Sequence, residues 1–463
     1  MNRSRGSTLV GGSSALAVFI GGGLGAFTTL TGTSALLAVV VAVAGVAQAF
    51  PTYFLYGGAV LFPWVELLSK FHLGHVSLAA PIDVGVAATS LLYTARFVIR
   101  ALLSKLVSPA AVVAGMVLMV TTWAVASLSW SIDGTVAFHE LTRVLSSLCV
   151  LVMIMGEVEA RGIKLVHTLT RLAVASSVPV VAIGIFQWLA RAGLRFNAGA
   201  VRVPSIFLYT NNYGYYLVPI TLILLSYLLR FRGTLKTWQF VGGVIWTVAL
   251  LVSAASTQSR TVWGALFVGV LLVLLAYRSY VWSVIFVLVG IGVLTLPSVQ
   301  LRLHELYQAL AFPTASLLNS VVWRFVAWRV SLADLTSPLA WMVGHGFGSA
   351  NLAMLPVFNT LLGGPHNQLI EWVVDQGLVG VLFLAVLGVA IVLYGIRAMR
   401  THGTSPIVLA MLAALVGYGL ITLVDNPITY YDVNFYYSLI IGSSIGLLAH
   451  QGRLTKQGGK ASR

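Results

Sequence analysis

Residues 341–380 read WMVGHGFGSANLAMLPVFNTLLGGPHNQLIEWVVDQGLVG. The first half is a glycine-rich turn, Gly344-His345-Gly346-Phe347-Gly348, where missing side chains permit positive φ and close backbone approach. The second half breaks at Gly363-Gly364-Pro365 and opens a helix at His366-Asn367, with Asn367 as N-cap and Glu371 in the first turns. That helix begins polar and is wholly apolar from Val379 onward, the pattern of a helix entering a membrane from its polar end. A histidine and an amide at the mouth of such a helix are where chemistry is expected.

The composition agrees with a membrane setting. Of the 463 residues, 59% are hydrophobic and 8% charged, against about 25% charged in soluble domains. Mean hydropathy is +0.95. The chain therefore reads as an all-α polytopic membrane protein. Its one cysteine, Cys149, lies inside an apolar run, which excludes a disulfide framework and a thiolate metal site. A formal charge of +15 would suit nucleic acid in a soluble chain. Here it points instead to loops gathered on the cytoplasmic side. The N-terminal MNRSRGS and the apolar run after it outline a signal peptide. A second apolar run follows at once, so the segment reads as a retained first helix.

A spanning helix needs about 20 mostly apolar residues. By that rule the spans fall near 13–31, 34–50, 52–68, 82–100, 106–129, 138–156, 172–190, 211–229, 239–256, 261–277, 280–297, 367–396, 406–424 and 433–450. The first two are short and Gly-rich, which leaves about 12–14 transmembrane helices. With the N-terminus inside, 18 of the 27 Lys and Arg residues fall on the cytoplasmic side, eight on the opposite side and Arg143 within a span. Both termini are then cytoplasmic.

Seven of the eight outer basic residues are arginines: Arg191, Arg195, Arg202, Arg260, Arg302, Arg324 and Arg329. One reading pairs them with outer acids such as Asp133, Asp334 or Asp375, or with lipid phosphates. The other converges several on an anionic ligand, because guanidinium forks match phosphate oxygens two at a time. The long loop from about 297 to 365 lies on the same side. Its stretches 301–312 and 319–335 are amphipathic at helical spacing, as short helices lying on the membrane surface would be.

Individual constellations carry a bland and a functional reading each. His366 is a structural cap or, with its near-neutral pKa, a base for a hydroxyl. Arg260, at the turn Ser256-Thr257-Gln258-Ser259-Arg260, either snorkels or is functional. Arg202 precedes the polar, aromatic start of a helix through Tyr209, Asn211, Asn212 and Tyr213, where the tyrosines read as an interfacial belt. Asp425-Asn426-Pro427 reads first as a helix-end turn, and second as a group orienting a sugar hydroxyl. His72 and His75 have ligand spacing but no third ligand nearby. There is no Asp-x-Asp pair, P-loop or Gly-x-Ser-x-Gly.

The run His366-Asn367, nine residues, then Gly377-x-x-Gly380 resembles the His-Asn-x9-Gly-x-x-Gly pattern of the O-antigen ligase and Wzy-type polymerase superfamily. The Ser259-Arg260 turn, Asn211-Asn212 after Arg202, and the lead-in from Pro338 to Gly348 are similar in order. The resemblance covers roughly residues 191–380. It implies a GT-C-like, metal-independent, inverting glycan transfer on the periplasmic face of the bacterial inner membrane, with no cofactor. The donor would be a glycan on undecaprenyl diphosphate. The acceptor would be a lipid A core sugar for a ligase, or another lipid-linked glycan for a polymerase. Carried over, His366 would be the base with Asn367 beside it, and Arg260 and Arg202 would hold the diphosphate. Arg191 and Arg195 stand as alternatives to Arg202, and Arg324, Asn211, Asn212 and Asp425 as loop and acceptor contacts.

The segments divide as N-terminal helices 1–190, helices with arginine turns 191–297, the long loop 298–366 and C-terminal helices 367–463. A glycolipid flippase would line a passage with arginines and is built from paired half-repeats. No repeat is visible, and the arginines gather at one face. A scaffold would leave those arginines and His366 without a role.

Overall fold

A computed structural model describes residues 47–461 except 74–75, 78, 105–106, 198–199, 312–319, 354–363 and 403–404, together with Val41 and Gly45. The expected span 13–31 and most of 34–50 lie outside these residues. Every later expected span coincides with one helix. These helices are α1 (Pro51–Leu68), α2 (Ala80–Leu103), α3 (Pro109–Ala126), α4 (Gly134–Arg161), α5 (Ile163–Ala190) and α6 (Thr210–Phe231). They continue with α7 (Thr237–Ser256), α8 (Arg260–Ala276) and α9 (Tyr280–Leu294). The long loop carries α10 (Pro297–Ala311), α11 (Ser320–Ala333), α12 (Pro338–Val343) and α13 (Ser349–Leu352), and α14 (Gln368–His402), α15 (Pro406–Thr422) and α16 (Tyr431–Ala461) follow. Among the described residues the only strands are two short antiparallel pairs, β1 (His72–Leu73) with β2 (Val76–Ser77) and β3 (Arg195–Asn197) with β4 (Ala200–Arg202).

The chain is an all-α polytopic membrane protein. Among the described residues seven helices are long and apolar enough to cross a membrane by themselves: α2, α3 with its extension to Trp130, α4, α5, α6, α7 and α14. The other expected helices within the described residues are present but fall short of that length or hydropathy. At 17 residues each, α8 and α15 fall short of that length. Polar residues dilute one end of α1 (Glu66) and of α16 (Asp432, Asn434). α9 breaks from α10 at a 75° bend near Pro297.

The core centres on α4, whose apolar window is 94% buried. It is sandwiched between α2 and α16. A Cβ at Gly442 would sit 3.1 Å from the Leu151 carbonyl and one at Gly446 2.8 Å from that of Met155, so this small-x-x-x-small pair lets α16 approach α4 closely.

Loops that the charge rule assigns to one side meet one another. At one end Lys70 Nζ donates to the Ile206 carbonyl (3.3 Å), Val203 N to the Ser256 carbonyl (3.2 Å), and Ser131 Oγ to the Phe347 carbonyl (2.8 Å). At the other, Arg96 reaches Gln48 (3.1 Å), Ser108 reaches Glu159 (3.3 Å) and Arg453 lies 3.8 Å from Glu159.

Candidate active site

The platform under the site is a crossing of two backbones. Gly344 (φ 71°, ψ −171°) and Gly377 (φ 65°, ψ −174°) both occupy a region open essentially to glycine alone. A Cβ on Gly344 would lie 2.5 Å from the Asp375 carbonyl, and one on Gly377 would collide with the Met342 carbonyl. Around the crossing His345 N donates to the Val374 carbonyl (2.8 Å) and Gly346 N to that of Asp375 (3.0 Å). The Asp375 carboxylate takes the amides of Gly348 (3.0 Å) and Ala350 (2.7 Å). The helix expected to run unbroken into the membrane is therefore broken at Gly377. Gln376 fixes the break by donating to Ser127 Oγ (2.7 Å) and accepting at its carbonyl from Trp123 Nε1 (3.2 Å).

Asn367 caps the first half of α14. Its Oδ1 accepts from the amides of Leu369 and Ile370, both at 3.1 Å, while Nδ2 donates to the Leu423 carbonyl at 2.9 Å. Trp328 Nε1 of α11 holds the Pro365 carbonyl at 2.8 Å. Between these fastenings His366 sits at φ 49°, an uncommon conformation for a residue with a Cβ. Its ring lies 5.2 Å from the Trp323 ring, centroid to centroid, and its side chain stays 26% exposed.

His366 Nδ1 is 3.0 Å from Asp425 Oδ1. Asp425 is buried and receives four other donors. Tyr430 Oη (2.9 Å) and its neighbour's amide, Asn426 N (3.0 Å), reach Oδ1, while Tyr215 Oη (2.7 Å) and Asn211 Nδ2 (3.2 Å) reach Oδ2. Burial alone would raise its pKa. The His366 charge, hydrogen bonds from His366 and Tyr215, and the Arg324 charge outweigh burial and hold it well below the usual carboxylate range. Burial, then the Asp425 charge, pushes the Tyr430 hydroxyl well above an ordinary phenol, so it stays a donor. An ionised carboxylate only accepts, so in neutral His366 the proton sits on Nδ1 and the lone pair on Nε2.

Arg202 joins this network from the other side. Its Nη2 donates to Asn211 Oδ1 (2.6 Å), whose Nδ2 reaches Asp425, and its Nε donates to the Thr257 carbonyl (2.7 Å). That second bond ties Arg202 to the turn ending at Ser259-Arg260, where Arg260 begins α8 half-buried. Arg324 stands beside Trp323 on α11. Arg195 pairs in register with Arg202 and is exposed, and Arg191 ends α5 exposed at φ 51°. Asn212, next to Asn211, points elsewhere: its Nδ2 donates to Glu66 Oε1 (3.1 Å).

The acids expected to neutralise the outer arginines are engaged otherwise. Asp133 caps α4, Asp375 binds loop amides, and Asp334 Oδ2 lies 3.4 Å from His345 Nε2. Residues missed in the sequence are Tyr215, Trp323 and Trp328. The tryptophans fall on the amphipathic stretch 319–335, where an indole N–H needing a partner was an available signal. His75 lies outside the described residues.

Residues 245–385 match the family model described as O-antigen ligase, Wzy_C. No curated protein matches the chain. The matched segment contains Arg260, Arg324, His366, Asn367 and the Gly377 crossing, while Arg202, Asn211 and Asp425 lie on either side of it. Across residues 245–385 the chain is therefore similar to the O-antigen ligase family, in line with the motif His366-Asn367 to Gly377-x-x-Gly380.

Proposed function

We propose that the chain transfers a glycan from undecaprenyl diphosphate to a hydroxyl of the lipid A core, on the periplasmic face of the inner membrane. The observation that carries this reading is the 3.0 Å contact of His366 Nδ1 with a buried, ionised Asp425. It leaves Nε2, on a partly exposed ring, as the free base.

In this mechanism Nε2 takes the proton of the acceptor hydroxyl as its oxygen bonds to the anomeric carbon. The carbon–oxygen bond to the diphosphate breaks, and its electron pair leaves with the phosphate. Attack opposite the leaving group inverts the anomeric centre. A diphosphate leaves readily, so the need is for fixed cations rather than a general acid; Arg202 and Arg260 supply them, with Arg324 nearby. Asp425 has no lone pair left for a sugar hydroxyl and acts through His366 instead. The segment 191–297 then contributes arginines, 298–366 the surface helices and the base His366, and 367–463 its partner Asp425.

The test uses purified protein with a lipid-diphosphate glycan and EDTA present, with lipid A core offered in one assay and donor alone in the other. Product on lipid A core, reduced about 10²–10⁴-fold in His366→Ala, is expected. A ladder of longer lipid-linked chains would make the enzyme a polymerase. Full activity in His366→Ala would sink the mechanism.

A further inference from the structure

A cavity of about 80 Å³ opens at the same end of the molecule as His366. Its polar lining includes Glu66, Asp83, Arg143, Asn212 and Asp432, with Tyr209 and Tyr430 beside them. Tyr430 is a shared wall, because its hydroxyl donates to Asp425 (2.9 Å). The cavity thus adjoins the His366 site without belonging to it.

Asn212 is only 3% exposed, and its Oδ1 has no hydrogen-bond partner although Nδ2 is held by Glu66. Asn212 lines the cavity, and a buried carbonyl oxygen without a donor can accept from a hydroxyl brought beside it. Three carboxyl groups with a single guanidinium, which already pairs with Glu140 at 3.4 Å, are a poor match for a phosphate. They suit hydroxyls, which donate to carboxylates and amide oxygens and accept from amide and guanidinium N–H. The volume matches two or three waters at about 30 Å³ each, or the hydroxyl-bearing edge of one sugar ring. Tyr209, 57% exposed, offers a flat face for the rest of that ring.

We propose that this cavity is a saccharide subsite, in which one pyranose of the donor glycan or of the acceptor docks its hydroxyl edge on Asn212, Glu66 and Asp432 against Tyr209. The two polar clusters then divide the substrate, with arginines for the diphosphate and carboxylates and amides for the sugar. The identification of the sugar's source rests on the transfer reading above, but the binding itself does not.

Saturation-transfer NMR on the purified protein, with methyl glucoside, galactoside, mannoside and rhamnoside as probes, tests binding. Signal from at least one glycoside is expected, lost in Asn212→Leu and kept in His366→Ala. Tyr209→Ala, at an exposed position that leaves the fold intact, should weaken the signal and raise KM at least tenfold for donor or acceptor, with kcat within twofold. Which KM rises identifies the substrate that docks there. No signal from any glycoside in the wild type, or both KM values unchanged in Tyr209→Ala, overturns the subsite. Glycoside signal that disappears in Asn212→Leu, in a protein without transfer activity, would refute the transfer reading alone.

Discussion

Asp425 receives five donors, and four of them come from other parts of the chain: His366, Tyr215, Tyr430 and Asn211. Replacing it by asparagine keeps the shape but lets an amide N–H face Nδ1, which favours the tautomer with its lone pair on the wrong nitrogen. We expect Asp425→Asn to lower kcat by about 10²-fold or more, with donor KM changed little, in the transfer assay. The pH dependence follows from sign. The folded pKa lies below the unfolded value of about 3.9, so the carboxylate's contribution to stability is full above that value and lost as pH falls through the folded one. Thermal unfolding should therefore show a wild-type advantage over Asp425→Asn that shrinks as pH falls below about 4. In the sequence a short motif singles out His366, and Asp425 stands apart as a candidate contact for a sugar hydroxyl. That the two meet was not legible, because they lie 59 residues apart.

Each helix expected within the described residues appears, since apolar run length is a local signal. The amphipathic stretches likewise become α10 and α11. What local signal concealed is the break at Gly377, because a glycine in an apolar run is compatible with a straight helix, and only the Met342 backbone across from it forces the turn. Gly377→Ala should cost about 1–3 kcal/mol from backbone conformation alone. The collision with Met342 adds to that. We expect a lower unfolding midpoint and loss of transfer. Gly388→Ala, further along α14 where a Cβ meets nothing within 4 Å, should be neutral or slightly stabilising. Equal effects at the two positions would remove the crossing from the account.

At the scale of the whole molecule, charge counting alone sorted the loops into two groups, and the contacts at each end fall within one group. Which end faces outward is open to a direct measurement. Cys149 is fully buried, so the native chain gives a silent background for thiol labelling. In intact spheroplasts an impermeant maleimide should label Leu339→Cys, and should label Trp238→Cys only after permeabilisation; both positions are about 70% exposed. The reverse pattern would invert the topology. The fastenings around the site have one more consequence. His366 is clamped between α11 and α14, through the Pro365 carbonyl on Trp328 on one side and the Asn367 cap on the other, so a shift of α11 would be felt at the histidine.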